Sequence, residues 1–229
     1  MIRPVLQVEV PASHSYEQIW ELQGDIQQCI VRAKKAEHPL PGVLMLCEHK
    51  PVYTLGKSGS MTHLLLNRDE LEKKGTEFFK INRGGDITYH GPGQITVYPI
   101  LDLDQYYHDL HRFVRDLEEV IIRLLADFEL VGERVKEYSG VWLKNNDGPG
   151  YRKICAIGVH MSRWVSMHGF ALNVNTNLDY FSHITACGIT AQHMTVTSLQ
   201  KELGSEVSMD MVKGKINEKF AEVFGVEYI

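Results

Sequence analysis

The sequence predicts an α+β fold, or a mixed α/β fold whose sheet is largely antiparallel, and three observations carry that expectation. Apolar residues recur at helical spacing in a few long segments, strand-like runs fill the intervals between them, and no strand–helix alternation repeats along the chain as it would in a βαβ protein. The first helix is expected from Ser15 to about Ala36. There Ile19, Leu22, Ile26 and Ile30 share one face, and Ser13 and Ser15 stand ahead of it as caps. That face should pack on a sheet.

After Pro39 and Pro41, GVLMLCEH (42–49) and VYTLG (52–56) read as strands, divided by Lys50-Pro51 and closed by Gly56. FFKIN (78–82) precedes a glycine-dense loop. ITVYPILDL (95–103) then has the β-branched and aromatic content of a buried strand. From His108 to Leu130 the set Phe113, Leu117, Val120, Ile121, Leu124, Leu125 and Phe128 makes the strongest amphipathic helix, which is scaffold. GVWL (140–143), KICAIGVHM (153–161) and WVSMHGFALNV (164–174) form a strand series joined by NNDGPG and by a polar break at Ser162-Arg163. A last helix spans Met209 to Phe224, with Val212, Ile216, Phe220 and Val223 on its apolar face and Ser208 as its cap.

At 229 residues the chain can bury the core of one α/β domain, so residues 1–229 are expected to form a single domain. Hydrophobic residues at 44% and charged residues at 23% are ordinary globular usage and argue against disorder. No apolar run reaches the ~18 residues of a membrane span, and MIRPVLQVEV lacks a signal-peptide core, so the expectation is a cytoplasmic protein without a membrane partner. A net charge of −5 argues against a general nucleic-acid binder. An acidic carrier protein could still dock on a local basic patch, to which Arg83, Lys144, Arg152, Lys153 and Arg163 are candidates.

The four cysteines include no C-x-x-C pair, which disfavours a zinc ribbon or a disulfide framework. Cys29, Cys47 and Cys155 sit in apolar patterns and read as buried small hydrophobes. Cys187 differs, since it lies at a Gly-flanked break in FSHITACGIT.

Four segments concentrate unusual residues. In Arg83-Gly84-Gly85-Asp86-Ile87-Thr88-Tyr89-His90-Gly91-Pro92-Gly93-Gln94 the glycines permit left-handed turns and close backbone approach, and the interleaved polar side chains can contact a ligand. A plain turn between strands is the competing reading. The G-x-G-x-x-G and G-K-[ST] spacings are missing, so no dinucleotide or Walker loop is indicated. Lys153 opens the small-residue strand Ile154–Gly158, which contains Ala156 and Ile157; an isolated lysine there would simply snorkel. His168-Gly169-Phe170-Ala171 can line an elongated apolar pocket or be a plain core strand. Ala186-Cys187-Gly188-Ile189 supplies a thiol, which becomes a competent nucleophile beside a cation or base and is otherwise a structural residue.

Taken in order, EHKPVYTLG, RGGDITYHGPGQ, SGVW, RKICAIG, MHGFALNV and ACGI resemble the lipoyl(octanoyl) transferase family, also called lipoate-protein ligase B, from about Val43 to Leu199. The resemblance implies the fold of biotin and lipoate protein ligases: a mixed, mostly antiparallel sheet flanked by helices, with a smaller second sheet. It implies transfer of an octanoyl group from acyl carrier protein to the family's cysteine, which falls on Cys187. From there the group passes to the ε-amine of a lysine on the lipoyl domain of a 2-oxoacid dehydrogenase E2 subunit or on glycine-cleavage H protein. Lys153 takes the place of the family's lysine and would stabilise the thiolate, then accept a proton from the incoming amine.

Substrate-lining positions fall on Arg83 to His90, Ala156 to Gly158 and Gly169 to Ala171, with His168 and His49 as supporting residues. The resemblance implies no cofactor and no metal; His49, His90 and His168 are too far apart in sequence to form a short-range zinc motif. Backbone amides near Gly188 or in the KICAIG strand are alternatives for holding the oxyanion. One departure is visible: the residue before the family's cysteine is typically proline, and here it is Ala186. An ATP-dependent lipoate ligase would not need the ACGI segment. An amidotransferase moving octanoyl between H protein and other lipoyl domains would also use a cysteine, and a non-catalytic carrier-binding module would have no need of Cys187 and Lys153.

Overall fold

A computed structural model describes residues 3–185 and 193–229. In chain order it contains β1 (Arg3–Val10), α1 (Tyr16–Lys35), β2 (Gly42–Cys47), β3 (Val52–Leu55), α2 (Arg68–Lys73), β4 (Glu77–Lys80), β5 (Ile87–His90) and β6 (Gln94–Ile100). There follow α3 (Leu110–Ala126), β7 (Glu133–Val135), β8 (Tyr138–Lys144), β9 (Tyr151–Ser162), β10 (Val165–Asn173), β11 (Met194–Val196), α4 (Leu199–Leu203), α5 (Met209–Phe224) and β12 (Val226–Tyr228).

Side chains two residues apart share a sheet face, and this rule builds the layers. Leu44 and Leu46 of β2, with Ile95 and Val97 of β6, point to one side, where Phe113, Leu117, Val120 and Leu124 of α3 and Ile216 and Phe220 of α5 complete the main core. Met45 and Cys47, with Tyr98 and Ile100, point to the other side and pack on Ile19 and Ile30 of α1. The main sheet runs β12-β1-β2-β6-β10-β9-β8-β7, and β11 lies beside the start of β9. Its pairings are antiparallel except β1–β12, β1–β2 and β9–β11. A second sheet, β4-β3-β5, carries the glycine-dense segment on its edge strand. The mixed, mostly antiparallel main sheet with a smaller partner is the architecture the motifs implied.

The helix caps follow the sequence signals. Ser15 closes a capping box with Gln18 at the head of α1, and Ser208 caps α5. The face of α1 differs from expectation. Leu22 is 43% exposed, and the buried stripe contains Gln23 and Gln27. Both glutamines reach the edge of β10: Gln27 Nε2 donates to Val165 O (2.8 Å), and Gln23 Oε1 accepts from His168 N (3.1 Å). Polar side chains therefore seat this helix on the sheet, and the helix turns so that Leu22 faces water. Cys29 is exposed on the same helix, which corrects its reading as a buried hydrophobe; Cys47 and Cys155 are buried. The break at Ser162-Arg163 is a tight hairpin, with Arg163 and Trp164 at φ of 52° and 64°. No helix among the described residues is long and apolar enough to cross a membrane.

Candidate active site

The glycine-dense loop is laid directly across β9. Gly84 N donates to Val159 O (2.9 Å), and a Cβ built on Gly158 would lie 2.7 Å from Gly84 O, so the approach requires glycine. Beneath this crossing lies a cavity of about 280 Å3. Arg83, Gly85, Asp86, Ile87, Thr88 and His90 form one wall. Ala156, Ile157 and Gly158 of β9 and His168, Gly169, Phe170 and Ala171 of β10 form the other. Ser58, Glu137 and Ser139 make an exposed rim; the far end, at Tyr16, Tyr98, His90 and His168, is buried.

That buried end is polar but neutral. Burial pushes His90 down to about 4 and His168 down to about 3, and the neighbouring Arg83 guanidinium adds to both shifts. His49 stands behind the wall with Nε2 2.7 Å from the Tyr98 hydroxyl, and burial takes it to about 3. The network assigns the His90 tautomer. Gln94 Nε2 donates to Tyr89 O and Asn173 Oδ1, so its oxygen accepts from His90 Nδ1–H at 2.8 Å. His90 Nε2 is left as an acceptor facing Thr54 Oγ1 at 3.4 Å. Arg83 is itself buried, and desolvation lowers its pKa. Its guanidinium donates to Thr54 O (2.6 Å), Thr54 Oγ1 and Gly84 O, and among the described residues no carboxylate oxygen lies within ion-pair distance of it.

Lys153 lies on the cavity wall beside Val196, with its ammonium 4.3 Å from the centroid of the Trp142 ring. The strands that carry it are held by a carboxylate from α3. Glu118 is fully buried, accepts Gly140 N (3.1 Å) on one oxygen, and binds Arg115 and Arg134 on the other. Gly140 has φ of 113°, and a Cβ there would sit 2.4 Å from Cys155 O, which explains the glycine of SGVW.

Cys187 and Ala186 lie outside the described residues. The chain on either side is placed. Thr185 N donates to His63 O (2.8 Å), and Met194–Val196 pair in parallel with Tyr151–Lys153. The other three cysteines are not on the cavity wall. Burial raises the thiols of Cys47, to about 12, and of Cys155.

Two loop residues face away from the cavity. Tyr89 alternates to the opposite side of β5, where it stacks on Tyr180 at 4.4 Å, and Gly84 serves the contact with β9. The candidate basic patch does not form. Arg83 is buried, Arg152 is bound by both oxygens of Glu202, and Arg163 sits at the far end of β9 beside Lys34. Tyr16, Tyr98, Tyr138 and Val196 line the cavity without having been singled out by the motifs. Tyr98 had a signal: Gln94, Thr96 and Tyr98 alternate with Ile95 and Val97, which marks one polar-bearing strand face. Among the described residues no three metal-ligating side chains converge.

A family profile described as the lipoyl protein ligase A/B catalytic domain matches residues 21–221. An octanoyltransferase of Flavobacterium johnsoniae is 48% identical over 231 residues, covering 98% of each chain. Among solved structures, lipoate-protein ligase A bound with ATP gives a TM-score of 0.70 at 18% identity, covering 100% of this chain and 88% of that one. Biotin protein ligase from Aquifex aeolicus in complex with biotin and ATP gives 0.53 at 12% identity, covering 98% and 71%. At those identities the likeness to the two ligases is one of fold.

Proposed function

The chain belongs to the family of lipoyl protein ligase A/B catalytic domains, and on that premise we propose that it is an octanoyltransferase acting as a single catalytic domain. Its donor is octanoyl-acyl carrier protein, and its acceptors are lysines of lipoyl domains and H protein. The observation that carries this reading is 48% identity to an octanoyltransferase over 98% of each chain, in a chain whose lysine borders a small cavity. At about 280 Å3 the cavity is at the small end of the range for small-molecule sites, which suits one slender acyl chain better than an acyl chain together with a nucleotide.

Cys187 is the nucleophile in this reading. Of the four cysteines, Cys29 is exposed on α1, and Cys47 and Cys155 are buried thiols off the cavity. Ahead of Cys187, Thr185 bonds to His63, whose ring binds the cavity residue Asp86, and beyond it Met194–Val196 pair with β9. In the first half-reaction the Cys187 thiolate attacks the donor thioester carbonyl. A new C–S bond forms, the donor C–S bond breaks, and the carrier's thiolate leaves and takes a proton from the Lys153 ammonium, which is left as a neutral amine. Lys153, as an ammonium, favours the attacking thiolate. In the second half-reaction the acceptor's neutral ε-amine attacks the Cys187 thioester. The C–N bond forms, the C–S bond breaks, and the amine's surplus proton passes through Lys153 to the sulfur. Both steps are redox-neutral acyl exchanges that start from an activated thioester, so the reaction needs neither ATP nor a metal.

Incubation with octanoyl-acyl carrier protein in the absence of ATP tests the proposal. The expected result is a mass gain of one octanoyl group that hydroxylamine removes and Cys187→Ala abolishes. Lys153→Ala is expected to slow both half-reactions. No adduct, or an adduct that requires ATP, overturns the assignment.

A further inference from the structure

One contact joins the cavity wall to the chain that runs toward Cys187, and the mechanism above makes no use of it. Asp86 is 6% exposed and lines the cavity; its Oδ1 accepts Ile87 N (2.7 Å), and its Oδ2 accepts His63 Nδ1–H at 2.5 Å. His63 closes a short helical turn, Met61–His63, capped by Ser60. The backbone of this turn continues as a partner for residues 183–185. His63 O accepts Thr185 N (2.8 Å), Leu65 N donates to His183 O (2.9 Å), and Leu64 bridges Ile184 in antiparallel fashion. Ile184 is buried against Leu64 and Leu66, and the Tyr53 hydroxyl donates to Tyr180 O. The last residue so fixed, Thr185, is two positions ahead of Cys187.

We infer that the His63–Asp86 pair is a positioning device: it locks residues 183–185 to the cavity wall and so sets where the chain delivers the reacting sulfur. The inference rests on the reading of Cys187 as nucleophile. Asp86 cannot shift freely, because Oδ1 is tied to the backbone of β5, so the imidazole it holds fixes the turn, and the turn's carbonyl fixes Thr185. The burial of Ile184 and the Leu65–His183 hydrogen bond do not depend on the imidazole. Loss of the ring therefore loosens the placement without removing the fold of the segment. Displacement of a reacting group by about 1 Å is enough to cost on the order of a hundredfold in rate.

The test compares His63→Ala with His63→Asn, whose side-chain amide nitrogen reaches the place of Nδ1. Three quantities are read: the single-turnover rate of Cys187 acylation by octanoyl-acyl carrier protein, the split between kcat and KM, and alkylation of Cys187 by iodoacetamide with exposed Cys29 as the reference within the same molecule. His63→Ala is expected to lower acylation and kcat by on the order of a hundredfold, with KM for the carrier within about twofold and the Cys29 rate unchanged. His63→Asn should recover most of the loss. If the unmodified protein acylates Cys187 and His63→Ala matches it, the positioning role is wrong. It is also wrong if the loss lies wholly in KM, or if Asn rescues nothing. If the unmodified protein forms no Cys187 adduct, the functional reading falls, and this inference with it.

Discussion

Lowering the pH from 7.5 to 5.5 should destabilise the fold through three imidazoles. His49, His90 and His168 are held neutral at about 3, 4 and 3, against an ordinary value of 6.5, chiefly by burial. For a base whose folded pKa is depressed, the unfolded chain binds the proton first. Stability is therefore full above pH 6.5 and is lost as pH falls from 6.5 toward the folded values of 3 to 4. At pH 5.5 each unfolded imidazole is about 90% protonated while its folded counterpart is not, a loss of ~1.4 kcal/mol per residue and ~4 kcal/mol for the three. Against a total stability of ~5–15 kcal/mol, that is a large fraction. Carboxylates with depressed values, such as Glu119 and Glu202, have ordinary values of 4.5 and contribute their loss only below the window in question. Urea unfolding at pH 7.5, 6.5 and 5.5 should show the midpoint falling mainly between the last two, at constant slope. His49→Gln removes one of the three titrations and should reduce the loss by ~1.4 kcal/mol. A loss below about 1 kcal/mol in the parent protein would refute the reasoning, because the imidazoles would then be either charged in the fold or open to water.

Two substitutions test the supports of the cavity. Gly158→Ala places a Cβ 2.7 Å from Gly84 O, a backbone atom that can yield only if the whole loop moves. It should cost ~1–3 kcal/mol, a Tm decrease of ~2–10 °C, together with most of the acylation rate, and an unchanged Tm would show that the loop adapts freely. Glu118→Gln keeps an oxygen for Gly140 N but removes the charge shared by Arg115 and Arg134. A cost of ~1–3 kcal/mol is expected in thermal unfolding, and no change would show that the two arginines find water as readily.

Much of the scaffold was legible because local signals and tertiary packing agree. The capping box at Ser15, the apolar stripe of α3 and the hairpin at Ser162-Arg163 are each written within a few residues. What was not legible depends on partners far along the chain. β1 and β12 are parallel neighbours from opposite ends of the sequence, Arg3 beside Val226, and a three-residue strand has no periodicity of its own. Gln23 and Gln27 look solvent-facing in a helical pattern and are buried because β10 offers a carbonyl and an amide to bind. The cavity residues fall along the same line. Arg83 to His90, Ala156 to Gly158 and Gly169 to Ala171 stand out by composition. Tyr16 reaches the cavity only because α1 begins beside it.

The pairing of one buried cation with three neutral imidazoles has its own logic. Arg83 spends its donors on Thr54 and Gly84, neutral acceptors behind the loop. Among the described residues no carboxylate pairs with it directly, Asp86 acts on it only at longer range, and its charge reaches the imidazoles around it. A protonated imidazole beside it would meet both the desolvation penalty and a like charge, which is why His90 and His168 fall so far below their ordinary value. With the rings neutral, their faces, together with Tyr16 and Tyr98, end the cavity in groups that satisfy one another's hydrogen bonds, as His90 does with Gln94 and His49 with Tyr98. An aliphatic chain that reaches this end meets neutral groups and breaks none of these bonds. The arginine thus helps keep the imidazoles at the buried end neutral, and that neutrality should persist at pH 5.5, where stability is already falling, and be lost only as the pH approaches the folded values of 3 to 4.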